Sequence, residues 1–282
     1  MQSAPSFSIA ALVRLTRFWN LVIVGMAQYF TAIFLLDRAH VYDWRLFILA
    51  SSTAIIAAAG YIINDYYDIK IDLINKPERV VIGKGITRRY ALFFHTLLSL
   101  VGVALGFVLG WKVGVIHFIS AFLLWWYSNN LKRQPVVGNL MVALLTGLTI
   151  VLVNVLYSTS NPLVGIYALF AFFMTLVREV VKDMEDLKGD NTFGCRTLPI
   201  VWGLRRTKLA IYGLLVIFSI SVIAVNLRYA QLPHSYFLMF LFVPLGVLVM
   251  WLARADTRKD FYWLSQWCKV ILLLGIFSMV LI

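Results

Sequence analysis

Six aspartates stand where the sequence could do chemistry. Asp65, Asp68 and Asp72 close an apolar run in the stretch NDYYDIKIDLINKPER (64–79), and Asp183, Asp186 and Asp190 repeat their 3+4 spacing in KDMEDLKGD. On a helix, positions i, i+3 and i+7 fall within about 60° of one another, so each triplet predicts three carboxylates on one face. Neighbouring like charges repel by roughly 0.5–3 kcal/mol per pair, and the last turn of a helix is already its negative end. A bound cation offsets both costs. Mg2+ suits such a place, because it takes one or two carboxylates and completes its octahedron with phosphate oxygens and water. Neither stretch has the central glycine and terminal glutamate of an EF-hand, which argues against calcium buffering. Two clusters facing each other across a bundle predict a metal-bridged polyphosphate between them.

The elements that carry these residues are membrane helices. The chain has 282 residues, 61% hydrophobic and 13% charged, with a mean hydropathy of +0.85. That is too little charge to cover a soluble domain of this length. Apolar stretches of spanning length recur throughout: 18–36, 45–63, 90–110, 113–128, 136–157, 161–178, 209–227, 236–253 and 263–282. They predict an all-α integral membrane protein of nine transmembrane helices in one bundle around a central apolar cavity, as a single domain over 1–282. Backbone groups in lipid must be satisfied within their own segment, hence the helices. The first stretch follows Arg14 and Arg17 but has no small-residue cleavage site, and reads as a retained span rather than a signal peptide.

The net charge of +12 is unevenly placed. Twenty Lys and Arg fall in the N-terminal tail and the connections 2–3, 4–5, 6–7 and 8–9, against four on the other side. By the positive-inside rule the N-terminus and the motif-bearing connections are cytosolic and the C-terminus is outside. The basic excess therefore needs no nucleic acid to explain it. Nine of the 13 acidic residues lie in connections 2–3 and 6–7, which are also the longest, and long connections in a compact protein are usually functional. One face carries the chemistry. His40, His95, His117 and His234 are scattered without a ligand pattern and read as packing or interfacial groups. Cys195 and Cys268 form neither a disulfide framework nor a zinc site. Thr146, Thr149 and Asn154, and the Gly102, Gly106, Gly110 ridge, read as helix–helix contacts.

These residues resemble a known family. NDYYDIKID resembles the NDxxDxxxD motif of the UbiA superfamily of intramembrane prenyltransferases, and DMEDLKGD resembles its second aspartate-rich motif. YSNNLKRQPVVGN (127–139) and RLTRFWN (14–20) are similar to two further signatures. The resemblance implies a prenyl diphosphate whose chain lies in the apolar cavity and whose diphosphate sits on two Mg2+ ions at the cytosolic rim. Asp65, Asp68, Asp72, Asp183, Asp186 and Asp190 are then the metal ligands, with Asp65 and Asp68 closest to catalysis. The leaving diphosphate is neutralised by metal, and a dry cavity protects the allylic cation from water. Aromatic faces stabilise such a cation, and Phe18, Trp19, Trp125, Trp126 and Tyr127 are candidates, although Trp and Tyr also favour membrane interfaces. Lys76, Arg79, Arg178, Lys182, Lys132 and Arg133 are candidate phosphate ligands, and by the same resemblance Asn20 and Asn64 complete the shell.

For the acceptor, the motif stretches look closest to the branch that alkylates geranylgeranylglyceryl phosphate, a step in ether lipid synthesis. That branch continues from its arginine into a Pro-x-Pro-Ser-Gly stretch, whereas this chain reads RVVIGKG at 79–85. An alcohol acceptor needs a base, for which Asp190 or Glu179 is available. An aromatic acceptor in quinone-type biosynthesis and a UbiA-type terpene cyclase are the nearer alternatives. A carboxylate-based transporter is the distant one, since its ionisable groups belong near the membrane midplane and here they lie at one rim.

Overall fold

A computed structural model describes residues 8–229 and 241–282. The described residues are helical, apart from turns and one isolated bridge between Ile82 and Ile86. The helices are α1 (Ile9–Leu15), α2 (Phe18–Phe30, continued by a π-helical segment Thr31–Leu36), α3 (Trp44–Asn75), α4 (Arg88–Leu109), α5 (Trp111–Asn129), α6 (Val137–Tyr157), α7 (Pro162–Glu185), α8 (Leu187–Thr192), α9 (Leu198–Tyr229), α10 (Val243–Arg254) and α11 (Arg258–Ser278). Several start on a capping side chain. Asp43 accepts from the N–H of Arg45, Thr87 from Tyr90 and Asn161 from Leu163 with Pro162 behind it, while Thr257 and Asp260 form a capping box. Each such cap stabilises a helix start by about 1 kcal/mol.

Among the described residues seven helices are long and apolar enough to cross a membrane: Phe18–Leu36, Trp44–Asn75, Arg88–Leu109, Val137–Tyr157, Pro162–Glu185, Leu198–Val225 and Arg258–Leu281. Two of the nine expected spans are not in that set. The stretch 113–128 does form a helix, α5, whose Lys112, His117 and Trp125–Trp126–Tyr127 end lower its hydropathy below that of those seven. The stretch 236–253 is described only from 241, and its helix α10 has 12 residues. Expected His234 lies outside the described residues.

The chain divides into two compact units, Met1–Tyr29 with Tyr42–Lys132, and Phe30–Val41 with Arg133–Ile282. In the first, α3 packs against α4 and α5. Small residues let the backbones close: a Cβ on Gly102 would stand 2.5 Å from Ile56, and one on Gly106 2.5 Å from the His117 ring. Gly110 is not part of that ridge. It holds φ +140 at the α4–α5 turn with nothing within 4 Å, a conformation that L side chains rarely adopt. Gln28 donates to Thr53 Oγ1 (3.1 Å), which meets His117 Nε2 at 3.4 Å, and His95 Nδ1 meets the Ala59 carbonyl at 3.0 Å. These histidines are packing groups, as their scatter suggests.

In the second unit α7 is the central helix, packed on α6, α9 and α11. Its core includes Met174, Val177, Val181, Phe218, Leu252 and Phe261. His40 stacks on Tyr157 at 3.8 Å. Thr146 and Thr149 bond to carbonyls of their own helix, and Asn154 donates to the carbonyl of Asn161 across the α6–α7 turn. Thr146 and Thr149 direct these hydroxyl bonds to α6 itself, whereas Asn154 ties α6 to the N-cap of α7 as a helix–helix contact would.

Candidate active site

The first aspartate motif lies on the part of α3 that continues past its apolar run. The helix extends to Asn75, so Asp65, Asp68 and Asp72 share one continuous helix, and the N–H of Lys76 closes it on the Asp72 carbonyl at 2.7 Å. Two cations from distant segments meet this face. Arg17 Nη2 lies 2.7 Å from Asp65 Oδ1, and its guanidinium stands 4.8 Å over the Tyr61 ring, whose hydroxyl accepts from Asn20 at 3.3 Å. Lys132 Nζ lies 2.6 Å from Asp68 Oδ1 and reaches the backbone carbonyl and side-chain oxygen of Asn64 at 3.5 and 3.4 Å. Partial burial works against charge on Arg17, but Asp65, Tyr61 and Asp72 leave its pKa raised, so it is a fixed cation at any working pH.

The segment after the motif explains where Arg17 stands. Val81, Ile82 and Ile86 are buried with Leu15 of α1 and Ile62 of α3, so the segment that begins with RVVIGKG forms an apolar seat for α1. Arg14 ties down the same segment through the Glu78 carbonyl at 2.7 Å. The chain then turns at Arg17, whose φ of +54 is unusual for a residue with a Cβ and costs about 1 kcal/mol or more. That turn aims its guanidinium at Asp65. The sequence reading gave Arg17 to the topology signal and to the RLTRFWN signature, but not to the phosphate ligands or to an aspartate partner. The sign of its role was its place in RLTRFWN, three residues before Asn20.

The second motif is built differently. Asp183 is on α7, Asp186 caps its end (φ −93, ψ 5), and Asp190 is on the separate short helix α8. The expected single helix face is therefore broken at Asp186, whose backbone separates α7 from α8. Asn139 Nδ2, at the first turn of α6, donates to Asp183 Oδ2 at 2.8 Å. Glu179 is buried, with Oε1 2.6 Å from Arg178 and Oε2 3.1 Å from Lys182. The N–H of Cys195 bonds to the Asp190 carbonyl and that of Arg196 to the Arg133 carbonyl, at 2.9 and 2.8 Å. Asn139 was not singled out by sequence reasoning, although it ends the YSNNLKRQPVVGN stretch.

Other expected residues stand at the edges. Arg79 pairs with Glu78 at 3.9 Å in the exposed turn after α3, and the side chain of Arg133 is exposed. Phe18 and Trp19 are exposed, edge to face at 6.0 Å, while Trp125 and Trp126 stack loosely on Phe122 and Tyr127 is half-buried. Among the described residues no three His, Cys, Asp or Glu side chains converge as a ready-made metal cage. The donors are hard carboxylate oxygens available one or two at a time, which fits Mg2+ shared with a phosphate rather than a fully protein-bound ion.

The UbiA prenyltransferase family profile matches residues 25–277. The chain belongs to this family. It is an integral membrane prenyltransferase. A digeranylgeranylglyceryl phosphate synthase of Methanosphaera stadtmanae is 31% identical to this UbiA protein over 243 residues, covering 85% of this chain and 88% of that one. The fold is similar to that of a solved digeranylgeranylglyceryl phosphate synthase, with a TM-score of 0.72 and 22% identity over 96% of this chain and 97% of that one. It is also similar to that of a UbiA homologue from Archaeoglobus fulgidus bound to DMAPP and Mg2+, with a TM-score of 0.60 and 15% identity over 95% and 98% of the two chains.

Proposed function

We propose that this UbiA protein transfers a geranylgeranyl group from its diphosphate to geranylgeranylglyceryl phosphate, making a diether lipid, in a reaction that needs Mg2+. The observation that carries the acceptor is the 31% identity, over 85% of this chain, with a protein named as a synthase of that product. The whole chain acts as one domain with nine crossings, adding α5 and the segment ending in α10 to the seven apolar helices. The N-terminus and both motifs are cytosolic, the C-terminus is outside, and an apolar cavity takes the prenyl chain.

In this reading Asp65, Asp68 and Asp72 would hold one Mg2+ and Asp183, Asp186 and Asp190 a second. Bound Mg2+ supplies charge stabilisation to the leaving diphosphate. Arg17, Lys132, Lys76, Arg79, Arg178, Lys182 and Arg133 are the cations available for phosphate oxygens, with Asn20 and Asn64 beside them. The bond between C1 of the prenyl chain and the diphosphate oxygen breaks, and the electron pair leaves with the diphosphate. The acceptor hydroxyl oxygen bonds to C1, and its proton passes to a carboxylate. Both oxygens of Glu179 are engaged by Arg178 and Lys182, which supports Glu179 as the anion that fixes those two cations. Asp190 or Glu179 is the base in this reading. Trp19, Trp126 and Tyr127 border the chain and the developing cation.

The test is turnover of labelled geranylgeranyl diphosphate by purified protein with Mg2+, offered geranylgeranylglyceryl phosphate, 4-hydroxybenzoate or a naphthoate acceptor. Lipid product with the first alone supports the reading. Product with an aromatic acceptor moves the protein to a quinone branch, and diphosphate release with no acceptor makes it a cyclase. No binding or consumption of any prenyl diphosphate refutes the site.

A further inference from the structure

We propose that Arg17 and Lys132 are internal counter-cations of the first aspartate motif that pass to the diphosphate as it binds, so that Asp65 and Asp68 become open to metal only together with the prenyl diphosphate. The inference rests on the reading that a Mg2+-prenyl diphosphate binds at this motif, and adds an order to that binding.

Each of the first two aspartates already has a cation in contact, and neither cation is a helix neighbour. Arg17 reaches Asp65 across 48 residues at 2.7 Å, held over Tyr61 by the turn that follows α1. Lys132 comes from the end of α5 to within 2.6 Å of Asp68, with only 9% of its side chain exposed. Its ammonium also reaches both oxygens of Asn64 and stands 6.0 Å from the Tyr67 ring. This is a built seat rather than a chance surface pair. A bare divalent ion approaching Asp65 or Asp68 meets two positive charges, each already in contact with one oxygen of its carboxylate. A diphosphate changes the balance, because guanidinium and ammonium groups find strong acceptors on its oxygens. Moving there, they would free carboxylate oxygens of Asp65 and Asp68 that could then hold a metal. At the second motif the neighbouring cations Arg178 and Lys182 are both in contact with Glu179. Binding of metal and of diphosphate at the first motif is then coupled, and the coupling is reciprocal.

The experiment uses the full chain in lipid nanodiscs, in an Asp186→Asn background that weakens metal binding at the second motif. Mn2+ is the probe of the bare metal, read by its electron paramagnetic resonance signal. Geranylgeranyl S-thiolodiphosphate, which resists ionisation, is the probe of the diphosphate, read by calorimetry at saturating Mg2+. In Lys132→Met and in Arg17→Gln, bare Mn2+ binds more tightly, by about fivefold or more, while the thiolodiphosphate binds at least about fivefold more weakly. Lys132→Arg keeps both affinities near the parent. A merely structural role weakens both ligands together. Bare Mn2+ affinity unchanged or weakened in the two variants overturns the inference while leaving the prenyl diphosphate reading intact. Failure of the parent to bind the thiolodiphosphate with Mg2+ overturns that reading and the inference with it. The two variants act on separate carboxylates, and their melting temperatures beside the parent show that each is folded.

Discussion

In an Asn139→Ala variant, Asp183 loses the 2.8 Å hydrogen bond that the asparagine amide donates to Oδ2. Asn139 is buried, 7% exposed, so no solvent replaces the amide without rearrangement. Its position is also held under strain. Val136, two residues into the turn before it, has φ +68 and ψ −46, and the N–H of Val137 bonds back to the Pro135 carbonyl at 2.7 Å. That is a tight three-residue turn which a β-branched residue adopts only when its surroundings impose it. A hydrogen bond to a charged group is worth about 1.5–3 kcal/mol, which is roughly 10–150-fold in an equilibrium constant. We therefore expect the affinity for a prenyl thiolodiphosphate at fixed, sub-saturating Mg2+ to fall by that factor, and saturating Mg2+ to recover part of it. Calorimetric titration of four proteins (parent, Asn139→Ala, Asp183→Asn and the double variant) separates the pair from the rest. If Asn139 acts through Asp183, its removal costs little once Asp183 is already asparagine. Equal losses from Asn139→Ala in both backgrounds would refute the reasoning.

Asp68→Asn and Asp186→Asn should each lower turnover by about 100-fold or more, and chelation of divalent ions should abolish it, with Mg2+ or Mn2+ restoring it. Turnover that survives chelation contradicts a metal-held diphosphate. Glu179→Gln should destabilise the second unit, because it leaves Arg178 and Lys182 without their shared anion. The loss lies toward the low end of the roughly 3–5 kcal/mol for breaking a buried pair, since the Lys182 side chain is 27% exposed. A melting temperature equal to the parent's would show that the clamp contributes nothing. Gly203→Ala should cost about 1–3 kcal/mol from backbone strain alone, because Gly203 has φ +76 and ψ 161 at the bend in α9 and nothing lies within 4 Å to clash. An unchanged melting temperature would place that strain elsewhere.

The sequence by itself determined the fold class, the family and the two carboxylate clusters. Those depend on local quantities: hydropathy over a span, charge between spans, and residue spacing along one helix. The first motif was legible for that reason, since Asp65, Asp68 and Asp72 do share α3. The second was read less well, because the 3+4 spacing does not show the break at Asp186 that sets Asp190 on a separate helix. RVVIGKG read only as a departure from a proline-bearing pattern. Its meaning, an apolar seat for α1, required Leu15 and Ile62 to be brought against Val81, Ile82 and Ile86. What tertiary structure alone decided is the pairing of charges. No spacing rule joins Arg17 to Asp65, Lys132 to Asp68 or Asn139 to Asp183, which lie 48, 64 and 44 residues apart in the chain. Nor does sequence show that Arg178 and Lys182 converge on Glu179. Electrostatic attraction acts through space and falls off over a few ångströms in contact, so which cation holds which carboxylate follows from helix packing and not from order along the chain.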